Sequence, residues 1–369
     1  MKQQSKRSLS LDIFRGLTVA FMIIVNNQWG PSFRALTHMT WDGCTPTDLV
    51  FPFFLFIVGI SMWFSYRKQD HEFTKQSFFR LLKRGFLIYA VGFLLGMYPF
   101  WNFRTETWLT PSPYAWMGVL QRIGITFFIG GVLALWLKSY KKIIIVAAGI
   151  LVGYWALINI FGDATFEGYI GRKIDAFIFG RQDNPRFFNN EGFFSTIPAI
   201  ATVLLGFVTG KFVGENHENK WKVLGVLGVT GGLLVTTALM LNTICPINKL
   251  IWSSSYVLYS AGLGMQVWMI FLWIYDYKNY TFGKTFFISF GSNALFIYVI
   301  ATLINKTVRF PFLQVMWEDD KVNVARWIAN WFGSLTTPET GALFSSLVLI
   351  GLLFIIAYLL YKRKIFIKI

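Results

Sequence analysis

The sequence predicts an all-α, polytopic membrane protein: a helix bundle of about ten transmembrane helices with both termini on the cytoplasmic side. Three observations predict it. The 369 residues are 55% hydrophobic and only 14% charged. The apolar residues fall in blocks of about 20, the length at which an α-helix crosses ~30 Å of hydrocarbon. Lys and Arg gather in alternate connections, the asymmetry that sets orientation during membrane insertion.

Ten apolar blocks can be read, near 11–31, 47–66, 79–100, 117–137, 142–161, 193–214, 221–242, 251–275, 284–305 and 341–361. An even number of spans puts both termini on one side. With that side inside, the inner segments hold Lys2, Lys6, Arg7, the basic residues from Arg67 to Arg84, Lys138 to Lys142, Lys211 to Lys222, Lys278, Lys284 and the tail YKRKIFIKI. The net charge of +16 then lies almost wholly on the inner face, since the outer loops balance their bases with acids. Insertion topology and anionic lipid account for it, and nucleic acid is excluded as a partner. The opening MKQQSKRSLSLDIFRG has the basic start of a signal peptide. Asp12 and Arg15 interrupt its apolar run, however, and no small-residue cleavage site follows, so it is read as a retained first span.

No repeat of 20 to 50 residues stands out, so the spans are expected to form one transmembrane domain over 1–369. The pairs Gly92/Gly96, Gly206/Gly210 and Gly228/Gly232 have the small-xxx-small spacing that lets helices approach closely. Three outer segments are long: 98–116, 162–192 and 306–340. Long loops tend to carry function, so the outer face reads as the substrate face. Within the third, RFPFLQVMWEDDKVNVARWIANWF reads as an amphipathic interfacial helix or a lid. Cys44 and Cys245 both fall near the outer surface, where a disulfide is permitted, although two unrelated small apolar residues are the plainer account.

Ionisable groups inside spans are costly and each needs a partner. Asp12 and Arg15, one helical turn apart, can pair with each other. Asn26 and Asn27 close span one, and His38 follows in THMTWDG. Asp48 opens span two in TPTDLVFP, where a carboxylate also suits a helix N-terminus. Gln121 and Arg122 stand at the start of span four, Asn189, Asn190 and Glu191 precede span six, and Asn248 and Lys249 precede span eight. Ser292 and Asn293 lie well inside span nine. From Asn26 onward, all but the last pair approach the outer half of the bundle, which suggests a polar cavity beside His38. The other histidines, His71 and His217, sit among charges in inner loops and read as solvated. Neither a metal-ligand spacing nor a Gly-rich phosphate motif occurs, and no metal is expected.

The stretches SLDIFRGLTVAFMIIVNN, THMTWDGCTPTDLVFPFFLFIVGIS, LQRIGI, NEGFFSTIPAIATVLLGFVTGK, PINKLIWSSSYVLYSAG and FGSNALFIYV resemble, in order over residues 8 to 300, the heparan-α-glucosaminide N-acetyltransferase family. The resemblance implies transfer of acetyl from cytosolic acetyl-CoA to the amino group of a glucosamine across the membrane. It implies that His38 is the active-site histidine, that Asn26 takes part in catalysis, and that a homodimer forms. A bacterial-type member would sit in the inner membrane as a multi-pass protein. Eukaryotic members carry a lumenal domain before their first span and this chain opens at span one, so the expected acceptor is glucosamine or an amino-sugar fragment rather than heparan sulfate.

The residues fit that chemistry. Amide formation from a thioester needs an unprotonated amine and a stabilised oxyanion. An imidazole titrates near working pH, so His38 can take the proton as general base, or carry the acetyl group itself. Asn26 can donate to the oxyanion. Asp48 can fix the imidazole; Asp42 is the alternative. Arg15, Lys83 and Arg84 are candidates for the phosphates of acetyl-CoA, with Ser292 and Asn293 as further cofactor-binding candidates. For the acceptor, Glu191 can receive the ammonium, Asn189, Asn248 and Lys249 can bind hydroxyls, Arg122 can meet an anionic group, and Trp41 or Trp252 can stack on a sugar face. The competing readings are an O-acetyltransferase of a surface polysaccharide and a glycan-fragment transporter.

Overall fold

The computed structural model describes residues 8–67, 71–103, 105–182, 184, 186–310, 312–318 and 320–367. Lys2, Lys6 and Arg7, part of the Arg67–Arg84 run, and the last two residues of the basic tail lie outside these. All ten apolar blocks are helical. Among the described residues, eight helices are long and apolar enough to cross a membrane, or nine if one bent pair counts as a single span.

The helices are α1 (Leu9–Asn26), α2 (Val50–Tyr66), α3 (Lys75–Met97), α4 (Pro113–Trp116), α5 (Val119–Leu137), α6 (Tyr140–Phe161), α7 (Ile170–Ile178), α8 (Phe193–Asn216), α9 (Lys220–Leu241), α10 (Ser254–Phe271), α11 (Lys284–Ser292), α12 (Ala294–Thr307), α13 (Val324–Ser334) and α14 (Pro338–Lys362). The helix α3 has the length of a span. Its first turns carry Lys75, Arg80, Lys83 and Arg84, so its apolar part is confined to residues 85–97.

The chain forms two compact units: the described residues of Met1–Thr37, Glu218–Gly228 and Met265–Lys368, and those of His38–His217 and Val229–Gly264. In the first, α1 packs on α11, and α13 and α11 pack on α14. Arg15 donates to Asp12 Oδ1 at 3.0 Å, the expected one-turn pair, and also reaches the Gly291 carbonyl at 3.4 Å. The ninth expected span, 284–305, is not one helix: α11 and α12 meet at 83°. Asn293 sits at the break, and its amide is used by the C-terminal segment, donating to Ile365 O at 3.0 Å and accepting from Ile367 N–H at 2.8 Å. The long segment 306–340 is likewise more than a helix. Strands β1 (Gln314–Trp317) and β2 (Asp320–Asn323) form a hairpin, and only then does the Asn323 side chain cap α13 by accepting from Arg326 N–H at 2.9 Å.

In the second unit α2 lies along α8, α3 along α5, and α6 and α5 against α8. Two of the small-residue pairs account for how closely these helices approach. A Cβ at Gly206 would overlap the Phe56 carbonyl oxygen and one at Gly59 the Val203 carbonyl oxygen, while Gly92 and Gly96 meet Gln121 and Ala115 across the α3–α5 contact. Gly228, by contrast, faces only the thioether of Met269.

Replacing Gly206 with Leu should therefore force backbones apart, an overpacking cost of about 1–3 kcal/mol or more. Gly149→Leu on α6, where an added Cβ meets nothing, should change stability by less than about 0.5 kcal/mol. Thermal unfolding of the two variants in the same lipid nanodiscs checks this.

Candidate functional site

The site is built on the start of α2. Thr45 and Asp48 stand three residues apart around Pro46, a reciprocal capping arrangement that satisfies N–H groups left open at a helix start. Asp48 Oδ2 accepts the Thr45 N–H at 3.0 Å, the Thr45 hydroxyl at 3.0 Å and the Met39 N–H at 3.2 Å. These three donors curl the loop 39–48 back onto the helix start. That leaves Oδ1, which lies 2.7 Å from His38 Nδ1. The carboxylate is 1% exposed and the imidazole 43%. A buried anion thus holds one face of a ring whose remainder is open. The two oxygens of Asp48 divide the work: Oδ2 closes the helix start and Oδ1 faces the ring.

A second loop reaches the same ring. Lys249 Nζ is 2.9 Å from His38 Nδ1, 3.4 Å from Nε2 and 3.5 Å from Asp48 Oδ1. Asn248 shapes the turn that delivers it. Its Oδ1 accepts the N–H groups of Leu250 and Ile251 at 2.8 and 3.2 Å, and its Nδ2 donates to Asp42 at 3.2 Å. Gly43, at φ +105°, a conformation open to glycine, donates its N–H to Ile247 O at 2.8 Å. The two loops are stitched together, and Tyr256 fastens the helix start by donating to the Asp48 carbonyl at 2.5 Å. Burial pushes the Lys249 ammonium below its ordinary range, and the negative charges of Asp48 and Glu191 pull the other way. Cys44, a free thiol like Cys245, is pushed up to about 12 by burial and by Asp48. Neither forms the disulfide that their outer placement permitted.

The residues ahead of α8 form a second polar group. Arg122 is fully buried, and its Nη2 donates to Asn190 O at 3.2 Å, Gly192 O at 3.4 Å and Ser195 Oγ at 2.6 Å. Its guanidinium stands over the Trp252 ring at 4.9 Å. Asn189 is also buried, donating to Met117 O at 3.2 Å and accepting the Glu191 N–H at 3.1 Å. The helix α8 starts at Gly192, which has no side chain to cap it. Asp175 from α7 supplies the cap, its Oδ1 accepting Phe193 N–H at 2.9 Å. Burial pushes the Asp175 carboxyl up to about 6, against the hydrogen bonds from Phe193 and Phe194 and the Arg122 charge. Nothing in the sequence marks Asp175, because its partner lies eighteen residues on.

Of the expected site residues, His38, Asp48 and Lys249 come into direct contact, and the charge of Glu191 is felt at Lys249. Arg122, Asn189 and Asn248 each bond backbone at these turns. The Trp41 indole donates to Ala164 O at 2.9 Å and packs edge-on against Phe166 and Phe188, each at 5.5 Å. Trp252, the alternative sugar platform, is fully buried under Arg122. Asn26 belongs to the first unit; its side chain is exposed and its carbonyl accepts from Asn305 at 3.2 Å, whereas Asn27 is the buried amide. Arg15, Ser292 and Asn293 belong to that same unit, and the exposed Lys83 and Arg84 to the second. His71 is less solvated than expected: it stacks on Trp63 at 4.6 Å and bonds the Trp63 carbonyl at 2.8 Å.

A family model described as "Heparan-alpha-glucosaminide N-acetyltransferase, catalytic" matches residues 7–237. The chain belongs to this family. It is 25% identical to the heparan-alpha-glucosaminide N-acetyltransferase of Homo sapiens over 98% of its own length, and 24% identical to that of Mus musculus over its whole length. It spans 60% and 61% of the lengths of those two relatives. The family match takes in the loop that carries His38 and Asp48, and it ends before Lys249.

Asp175 gives the site a measurable pH dependence. Its folded value lies above that of an unfolded aspartate, so the folded state binds more protons between about pH 4 and pH 6, and stability falls as pH rises through that window. The loss should approach about 3 kcal/mol. Asp175→Asn should flatten that part of the profile, as read by thermal unfolding at pH 4, 5, 6 and 7.

Proposed function

We propose that this protein is an acetyl-CoA-dependent acetyltransferase whose acceptor is the amino group of a glucosamine-type sugar, with His38 as the general base. The observation that carries the reading is the pairing of a half-exposed imidazole with a buried carboxylate at 2.7 Å. With Asp48 in front of Nδ1, the ring donates its Nδ1–H there, which leaves the Nε2 lone pair for an incoming proton. The family's name supplies the reaction class and the acceptor class.

In the reaction the sugar nitrogen attacks the thioester carbonyl carbon while its proton passes to His38 Nε2. The C–N bond forms, the tetrahedral adduct collapses with cleavage of the C–S bond, and the imidazolium returns its proton to the departing thiolate. The products are an N-acetyl sugar and CoA, and the histidine is regenerated. Asp48 stabilises the imidazolium that forms between these steps. Glu191, whose charge acts at Lys249, is offered as the contact for the substrate ammonium, which gives one proton to solvent before the free amine attacks. Asn26 is offered as the oxyanion donor, and Arg15, Lys83 and Arg84 as contacts for the CoA phosphates. The eight apolar helices support a multi-pass membrane setting, and the inner membrane with cytosolic acetyl-CoA is the proposed arrangement.

Purified protein given acetyl-CoA and glucosamine should release CoA and form N-acetylglucosamine, and His38→Gln should lower the rate by about 10² or more. N-acetylglucosamine, which has no free amine, should not serve as acceptor. CoA release with N-acetylglucosamine alone would move the reading to O-acetylation. Folded wild type that releases no CoA with any amino sugar would overturn it.

A further inference from the structure

Lys249 stands in an unusual place. An atom on the outward in-plane axis of Nδ1 would be much farther from Nε2 than from Nδ1. The near-equal distances of 2.9 and 3.4 Å therefore put the ammonium over the face of the ring, not in the direction a hydrogen bond to the Nδ1 lone pair requires. The in-plane direction is occupied by Asp48 Oδ1 at 2.7 Å. Asp48 and Lys249 thus address one imidazole with opposite charges from two directions, at comparable range.

The two charges act in opposite senses on the ring. A carboxylate beside an imidazole favours the imidazolium and so lowers the share of free base. A cation over the ring disfavours the imidazolium. We infer that Lys249 is a positioning residue for the proposed reaction: by offsetting the charge of Asp48 it keeps His38 a neutral, Nδ1-protonated ring whose Nε2 can accept a proton at neutral pH. The inference rests on the proposed role of His38 as base and adds to it the group that keeps the base free.

The groups that face this pair are few. From the loop ahead of α2 come Asp48 itself, Asp42, which bonds Asn248, and Cys44. Glu191 comes from the turn ahead of α8, and Lys249 from the turn ahead of α10. Asp48, Glu191 and Cys44 all favour the charged form of Lys249 against its burial. The cation is therefore held by acidic groups on two segments, and the turn built by Asn248 and the Gly43–Ile247 bond fixes where it sits.

The test needs neither acetyl-CoA nor sugar, so it stands apart from the test of the activity. The chain has only three histidines, so ¹⁵N-histidine NMR of the full chain in nanodiscs can follow His38, with His38→Gln assigning its signals. In wild type at pH 7, His38 should be neutral with the proton on Nδ1. In Lys249→Met its protonation midpoint should rise by about 1–2 pH units, the scale of losing one charge at this range. Lys249→Arg, which keeps the charge, should bring it back toward wild type. A merely structural lysine would leave the midpoint where it was while lowering stability. An unmoved midpoint in folded Lys249→Met, with His71 and His217 signals intact, overturns the inference. So does a wild-type His38 that is imidazolium at pH 7, a result that requires no Lys249 variant to fold.

Discussion

The site depends on the single carboxylate of Asp48 and on how its two oxygens are used. Oδ2 takes three donors from the loop that precedes α2, and Oδ1 faces His38 and Lys249. Every partner is a donor. If the carboxylate were removed, the helix start would lose its cap, the loop its curl, and the imidazole its fixed orientation at once. Local folding and chemistry are therefore one constraint here, since the bonds that close the loop are also what bring His38 to the buried oxygen. Burial strengthens each of these bonds by excluding water from them.

Much of the polar inventory ahead of the spans serves backbone rather than substrate. Arg122 gathers the carbonyls of Asn190 and Gly192, Asn189 and Asn248 close turns, and Asn293 pins the C-terminal segment. The physical reason is general. A loop buried among apolar helices carries N–H and C=O groups that water cannot reach, and side chains must satisfy them. A conspicuous amide or guanidinium near a span end is thus as often a turn fastener as a ligand. His38 differs because its ring is nearly half open while its partner is buried.

What was legible in the sequence follows the same division between local and distant. The apolar blocks place the long helices, Asp48 stands at the helix start that its carboxylate suits, and Asp12 and Arg15 pair across one turn as their spacing requires. The preference for Asp48 over Asp42 as the partner of His38 rested on a helix start being the firmer platform, and the contact is there. Nothing in one chain shows that Lys249, 211 positions from His38, lies against its ring. Asp175 gave no signal for the same reason. The break between α11 and α12 was hidden because 284–305 is apolar enough to read as one span. The hairpin 314–323 was hidden because its aromatic and charged residues also fit an amphipathic helix.

The central claim is that Asp48 orients His38 as a base, and Asp48→Asn tests it most directly through the rate of acetyl transfer. An asparagine keeps the size of the side chain and can still cap α2 through its oxygen. Its NH₂ would then face His38 Nδ1 as a donor, forcing the ring proton onto Nε2 and removing the lone pair that accepts the amine proton. The account predicts a folded protein with kcat lower by about 10²–10⁴ and the acceptor KM little changed. A folded Asp48→Asn protein that transfers acetyl at the wild-type rate would contradict it.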